Sequence, residues 1–483
     1  MQGVHTVEEV RAAEEAVLAR TGEHDLMLRA ATGLARTCAE LLALHRGGVY
    51  GARVVLLVGT GNNGGDALYA GAALARRGAA VLVVPTGTRM HDDGLAAVHR
   101  AGGRLLAGAE APDAIASADL VVDGILGIGG KGALREPARS LTAQATMSAA
   151  LVVAVDLPSG VDADTGVAGD DAVWADVTVS FGLMKAGLLL PPGSLHAGVV
   201  ELVDIGLGDD AVVPSVTCLD ARDVAVLLPR PGPTDHKYSQ GVVGIAAGSL
   251  RYPGAAVLAV GGAARAKAGL VRYSGAAAAE VVHSWPSVIV STGGVGDAGR
   301  VQAWAVGPGI GLDATAHDRL AEVLGEPVPV VVDADGLSLL AASPQLLEGR
   351  TESTVLTPHE REFARLAPDL EVSADPVAAV RTLAARLRCT VLLKGATTIV
   401  AAPDGQVRLN LTGTPWLATG GTGDVLTGMV ATYLASGLTP LDAASVAAFV
   451  HGIAARLASD GAAITAADVV DALPDAARAV SRP

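Results

Sequence analysis

The chain has 483 residues, half of them hydrophobic but only 3% aromatic, with 60 glycines. That length exceeds a single core of roughly 100 to 200 residues, so two folding units are expected, and the composition is that of a globular enzyme rather than a disordered chain. A formal net charge of −15 excludes the basic footprint that nucleic acid or an anionic membrane requires, and the three dispersed cysteines exclude a disulfide framework or a thiolate metal cluster.

At the N-terminus, Thr6-Val7-Glu8-Glu9 has the form of a capping box, and helices are expected over about 6 to 20 and 24 to 44. No basic region precedes an apolar core, and no uncharged apolar stretch reaches the roughly 20 residues of a membrane span, so neither export signal nor transmembrane helix is expected. Cytoplasmic residence follows. From Arg53 to Ile205 short apolar runs alternate with helical stretches, at 53 to 59, 80 to 85, 120 to 126, 151 to 157, 176 to 182 and 199 to 205. This is the rhythm of a parallel α/β sheet. The pattern weakens between about Asp209 and Asp235, where Pro229-Arg230-Pro231-Gly232-Pro233 places a linker. It restarts with strands near 241 to 247, 287 to 291, 303 to 307, 328 to 333, 354 to 357 and 390 to 394, then a hairpin across Asp404-Gly405. Helices over 424 to 434, 443 to 458 and 465 to 473 close the chain. Two domains, 1–212 and 213–483, are expected.

The first chemistry-bearing segment is Gly59-Thr60-Gly61-Asn62-Asn63-Gly64-Gly65-Asp66, a strand end followed by a helix from about Asp66. Glycines and a helix N-terminus favour an anion such as pyrophosphate. The spacing is not the dinucleotide fingerprint, however, and the asparagines and aspartate add oxygen ligands that a plain phosphate cradle does not need. A small polar ligand or a cation is implied. Two further strand ends, Val122-Asp123-Gly124-Ile125-Leu126-Gly127 and Val155-Asp156-Leu157-Pro158-Ser159-Gly160, should meet it in one crevice, unless each acid only caps a turn. Only five of the 35 basic residues are lysines, namely Lys131, Lys185, Lys237, Lys267 and Lys394, so each is a candidate for a role needing a compact ammonium.

The NNGGD, DGILG and VDLPSGVDADTG blocks resemble the YjeF N-terminal domain, the NAD(P)H-hydrate epimerase, over roughly residues 5 to 207. The resemblance implies a Rossmann-like three-layer fold and a potassium ion held by Asn63, Asp123 and Ser159. It also implies nucleotide contacts from Asn62, Asn63, Gly64, Gly65 and Asp66, from the loop Gly127, Ile128, Gly129, Gly130, Lys131, Gly132 and Ala133, and from Asp156. The hydrated nicotinamide carries a hydroxyl on the carbon bonded to the ring nitrogen, so epimerisation by an iminium or a ring-opened form needs a group that gives and takes a proton. Asp156 is the expected one. Lys185, in the FGLMKAG block, is either structural or adjacent to the site.

In the second half, Gly420-Gly421-Thr422-Gly423-Asp424 opens an apolar helix and gathers backbone amides around one carboxylate, where a phosphoryl group's charge is stabilised. A capping aspartate is the plain alternative. Four other strand ends accompany it: Gly307-Pro308-Gly309, Val332-Asp333-Ala334-Asp335-Gly336, Thr357-Pro358-His359-Glu360-Arg361-Glu362 and Lys394-Gly395-Ala396-Thr397-Thr398. With His236-Lys237 and the AGSLRYPGA block ending at Ala255, these look like the ADP-dependent NAD(P)H-hydrate dehydratase of the ribokinase-like superfamily over about 220 to 480. The resemblance implies hydrate contacts at Ala255, Gly309, His359 and Asp424, and adenine-nucleotide contacts at Lys394, Gly395, Ala396, Thr397, Thr398 and Gly423. Asp424 is the expected base, and magnesium is expected on the phosphates of ADP or ATP. The TPHERE block and the segment His283-Ser284-Trp285-Pro286-Ser287 depart from the family pattern.

The reading is thus a bifunctional repair of hydrated NADH and NADPH, expected in a homo-oligomer. A ribokinase-like small-alcohol kinase with an N-terminal regulatory module, or an N-terminal scaffold without catalysis, are the rivals.

Overall fold

A computed structural model describes residues 1–130, 132–208 and 212–481. The chain divides into two compact units, Gly3–Ser215 on one side and Met1–Gln2 with Val216–Pro483 on the other.

In the first unit seven strands form a sheet in the order 104–105, 80–85, 53–58, 120–124, 151–155, 177–181 and 199–203. Every pairing is parallel, with Val54 opposite both Val81 and Leu120. The central strands are buried except at the first residues Arg53 and Leu151, which is why they read as continuous Val and Leu runs rather than alternating ones. Odd and even side chains feed separate cores: Val54, Leu56 and Val58 pack with the helices Val7–Thr21, Glu23–Arg46 and Asn62–Arg76, whereas Val55 and Leu57 pack with Ala111–Ala116 and Ala138–Met147. The capping box is present, with Thr6 Oγ1 accepting from Glu9 N and Glu9 returning to Thr6 N. The helix after the glycine loop begins at Asn62, four residues before the expected Asp66, so the NNGGD segment is helical. Its two glycines lower helix propensity but pack tightly, and tertiary packing overrides propensity here.

In the second unit ten strands from residues 216–410 lie in one sheet. The order runs from 216–218 through 407–410, 398–401, 390–393, 354–356, 330–332, 303–306, 242–246 and 270–274 to 289–291. The strands from 354–356 to 289–291 run parallel, whereas 398–401 is antiparallel to both its neighbours, as the Asp404-Gly405 hairpin requires. Strand Leu270–Ser274 has no counterpart in the sequence reading, because Arg272 and Tyr273 interrupt its apolar run. Val216–Cys218 and helix Ala221–Leu227 occupy part of the expected linker, while the proline segment 229–233 forms neither helix nor strand.

Helices Pro253–Arg265, Thr422–Ala435, Pro440–Ser459 and Ala466–Ser481 pack against this sheet and one another. The last runs through Pro474, beyond its expected end at Leu473. A Cβ at Gly262 would lie 2.9 Å from the Val425 carbonyl carbon, so glycine is what permits the first two helices to approach so closely. Pro440–Ser459 is long and apolar enough to cross a membrane, but its residues are mostly buried in the core of this unit.

Candidate functional site

The carboxyl ends of strands 53–58, 120–124 and 151–155 border a cavity of about 420 Å³ in the first unit. Asn62, Asn63, Asp66 and Asp156 line it together with Gly127, Ile128, Gly129 and Gly130. Gly64 and Gly65 are instead buried packing positions, and Gly132 and Ala133 are exposed residues outside the lining. Lys131 lies outside the described residues.

Asp156 occupies the left-handed region with φ of 68°, a conformation unusual for a residue with a side chain. Its Oδ1 accepts from Lys185 Nζ at 2.7 Å, from Ser180 Oγ at 3.3 Å and from the Phe181 amide at 3.3 Å. Lys185 is itself buried and donates to Ser180 Oγ and to the Phe181 carbonyl. The side chain left open by the sequence is therefore the direct partner of the proposed proton carrier. Glu14 and Arg11, on the helix Val7–Thr21, also face the cavity. Neither stood out in the sequence, where one acid on an amphipathic helix is indistinguishable from a solvated one.

Asn63, Asp123 and Ser159 converge around the Leu126 backbone. Asn63 Nδ2 donates to the Leu126 and Val155 carbonyls, and the Leu126 amide donates to Ser159 Oγ at 2.9 Å. Asp123 is buried and accepts from the Ser159 amide and hydroxyl at 2.8 and 2.7 Å and from the Ile125 amide at 3.3 Å. Burial pushes its carboxyl up to about 6 despite those three donors. A Cβ at Gly127 would stand 2.5 Å from Asn63 Oδ1, so glycine keeps the amide in place. An amide, a carboxylate and a hydroxyl oxygen, with a buried carboxyl that no basic group among the described residues is seen to pair with, are oxygen ligands of the kind a hard cation takes.

In the second unit the four strand ends and the GTGD helix likewise share the carboxyl rim. Lys394 Nζ bonds Asp333 Oδ1 at 2.7 Å and lies 3.8 Å from Glu362. Thr427, one turn along the helix from Gly423, donates to Asp333 Oδ2 at 2.7 Å. Asp424 belongs to the same cluster: desolvation first and the neighbouring Asp333 second push its carboxyl up to about 7, with Lys394 opposing. Gly423 stands beside Lys394 and Asp333, and a Cβ at Gly309, where φ is +62°, would lie 2.8 Å from that of Ala255. His359 caps the helix Glu360–Leu366, its Nδ1 accepting from the Arg361 and Glu362 amides, and its backbone bridges to Lys394. Gly395 and Ala396, both exposed, and the half-buried Thr397 connect strand 390–393 to 398–401, which Thr398 begins. Asp333, Glu362 and Thr427 are the residues that sequence reasoning did not place in the site, although the first two stood in the quoted strand ends. Among the described residues no cluster of three or more His, Cys, Asp or Glu side chains forms a metal cage, so nothing here singles out protein ligands for magnesium.

Two family models match, the YjeF-related protein N-terminus over residues 23–187 and the NAD(P)H-hydrate dehydratase over residues 243–475. A Mycobacterium leprae protein named bifunctional NAD(P)H-hydrate repair enzyme Nnr is 48% identical over 462 residues, covering 95% of this chain and 94% of its own. The chain belongs to the bifunctional NAD(P)H-hydrate repair enzyme family. A relative in that family from Corynebacterium glutamicum is 35% identical and spans 99% of this chain and 98% of its own. The second unit is similar to the crystal structure of an ADP/ATP-dependent NAD(P)H-hydrate dehydratase from Bacillus subtilis, co-crystallised with ATP/Mg2+. That likeness has 30% identity and a TM-score of 0.50, over 55% of this chain and 99% of that one. A ribokinase-like superfamily protein from Enterococcus faecalis V583, 24% identical with a TM-score of 0.51 over 56% of this chain and 98% of that one, supports the fold class of this unit. The two matched segments fall one in each unit.

Proposed function

We propose that this protein repairs hydrated NADH and NADPH in two steps, with epimerisation in about residues 1–212 and ADP-driven dehydration in about residues 213–483. The observation that carries the proposal is that each unit of a chain of this family holds a largely buried aspartate, Asp156 or Asp424, among the glycine-rich loops at its sheet's carboxyl rim.

In the first unit, Asn62, Asn63, Asp66 and the Gly127–Gly130 loop hold the hydrate so that its ring carbon faces Asp156. Expulsion of the hydroxyl by the nitrogen lone pair leaves a planar iminium, which water re-enters from the other face. Asp156 handles the proton, and Lys185 keeps its carboxylate oriented. Asn63, Asp123 and Ser159 would hold potassium, which supplies positive charge beside the nucleotide.

In the second unit Asp424 takes the proton of the substrate hydroxyl. The oxygen then attacks the terminal phosphorus of ADP, the bond to the bridging oxygen breaks, and AMP leaves. The ring nitrogen expels the resulting phosphate, and loss of a proton from the adjacent ring carbon restores NAD(P)H. A poor leaving group has become a good one. Lys394, with Gly395–Thr398 and Gly423, positions the nucleotide phosphates and balances their charge. Magnesium would accompany those phosphates. Ala255, Gly309 and His359 contact the hydrate.

The test supplies a mixture of R and S hydrates with ADP and follows reduced-nicotinamide absorbance. Complete recovery with one AMP and one phosphate per NAD(P)H is expected. A lasting phosphorylated product would favour the small-alcohol kinase instead.

A further inference from the structure

The cavity of the first unit contains more acid than one proton carrier requires. Asp156 Oδ1 is already engaged, because an ammonium, a hydroxyl and an amide all donate to it. Those three donors fill the space around the oxygen on which a proton to be offered would have to sit. Asp66 has the opposite surroundings. It comes from the helix Asn62–Arg76, past the first turn, where free amides are no longer available to it. It is only 6% exposed, it lines the same cavity, and its Oδ1 is buried with no hydrogen-bond partner.

Resting on the epimerase reading above, we infer that Asp66 is a second catalytic residue of that reaction, the acid that protonates the departing hydroxyl while Asp156 serves as the base for the incoming water.

Every atom in this scheme has a place. The Asp66 carboxyl gives its proton to the hydroxyl oxygen as the carbon–oxygen bond breaks, both bonding electrons leave with oxygen as water, and the nitrogen lone pair forms the carbon–nitrogen double bond. A second water then bonds to carbon from the other face, returning that electron pair to nitrogen, and Asp156 accepts the proton it sheds. The reverse epimerisation exchanges the two roles, and proton exchange with solvent through the cavity mouth resets the pair. Burial favours the neutral form of Asp66, and the charges of Asp156 and Glu14 act in the same direction. Among the described residues, Arg11 lines the cavity with these acids and Lys185 bonds Asp156 from behind it. Glu14 is the rival acid, its carboxyl also raised by burial, but it is only half-buried and Lys185 and then Arg11 draw it back toward the anion.

The experiment uses the full-length protein without ADP, so that dehydration is idle, and follows interconversion of purified R and S NADPH hydrates by chromatography. For Asp66→Asn we expect kcat to fall by about 100-fold or more, with KM changed less than about threefold. Asp66→Gly should be equally slow but regain rate with added formic acid, which can enter the vacated space. Glu14→Gln should keep kcat within about tenfold of wild type. Interconversion by Asp66→Asn at the wild-type rate overturns the inference alone, as does a loss in Asp66→Gly that formic acid leaves unrescued. A rescued loss in Glu14→Gly moves the role to Glu14 and overturns it equally. Wild-type protein that fails to interconvert the epimers would sink the epimerase reading with it.

Discussion

Replacing Asp424 by asparagine should abolish dehydration and yet make the second unit more stable at neutral pH. The carboxyl rises from an ordinary 3.8 to about 7, chiefly because burial disfavours the charged form and Asp333 repels it. A group raised in the folded state binds its proton more tightly there than in the unfolded chain. Stability therefore falls as pH rises from about 4 to about 7, and the full penalty applies above that window. The rise corresponds to about 4 kcal/mol at most, and the partial exposure of Asp424 reduces the expected effect to about 1 to 3 kcal/mol. Asparagine has nearly the same shape and no charge, and no hydrogen bond to Asp424 contributes to its shift, so the change removes the penalty at little cost in packing. The assay is a thermal melt at pH 8 and at pH 4, taking the transition that ADP shifts upward as that of the second unit. At pH 8 the variant's midpoint should rise by roughly 2 to 8 °C, at pH 4 it should not move, and dehydration should fall by about 100-fold or more. Wild-type kcat/KM should climb to a plateau with a midpoint near pH 7. Equal shifts in midpoint at both pH values, or a variant destabilised at pH 8, would refute the reasoning.

Asp156→Asn should confine rapid recovery of NAD(P)H to the S fraction of a mixed hydrate, which the biphasic absorbance trace resolves directly. Lys185→Met leaves the Asp156 carboxylate buried without its ammonium partner, so the first unit should lose about 3 to 5 kcal/mol, measured by chemical denaturation. Gly127→Ala puts a methyl group into the space of Asn63 and should weaken potassium dependence of epimerisation, read from the half-saturating potassium concentration. Unchanged potassium response in that variant would separate Asn63 from the cation.

Much of this protein is legible in local sequence because parallel strands buried on both faces leave unbroken runs of Val and Leu, and because strand ends that carry chemistry are framed by glycine. The NNGGD, PSG and GTGD blocks announce themselves for that reason, and so do the two α/β units. Short or interrupted elements were invisible: Leu270–Ser274 carries Arg272 and Tyr273, and Val216–Cys218 is three residues long. Helix starts depended on packing, as Gly64 and Gly65 show.

Partnerships are a different matter, since a residue's neighbours across the fold leave no trace in its own segment. Lys185 and Asp156 are 29 residues apart, Lys394 and Asp333 are 61 apart, and Thr427 and Asp333 are 94 apart, yet each pair is in hydrogen-bond contact. Sequence alone determined which strand ends bear acids, because glycine and aspartate mark a chain that must turn sharply at a sheet edge. Only the tertiary structure decided which acids are paired with a lysine and which stand buried without one, because the free energy of a charge depends on the solvent and the countercharges folding leaves around it.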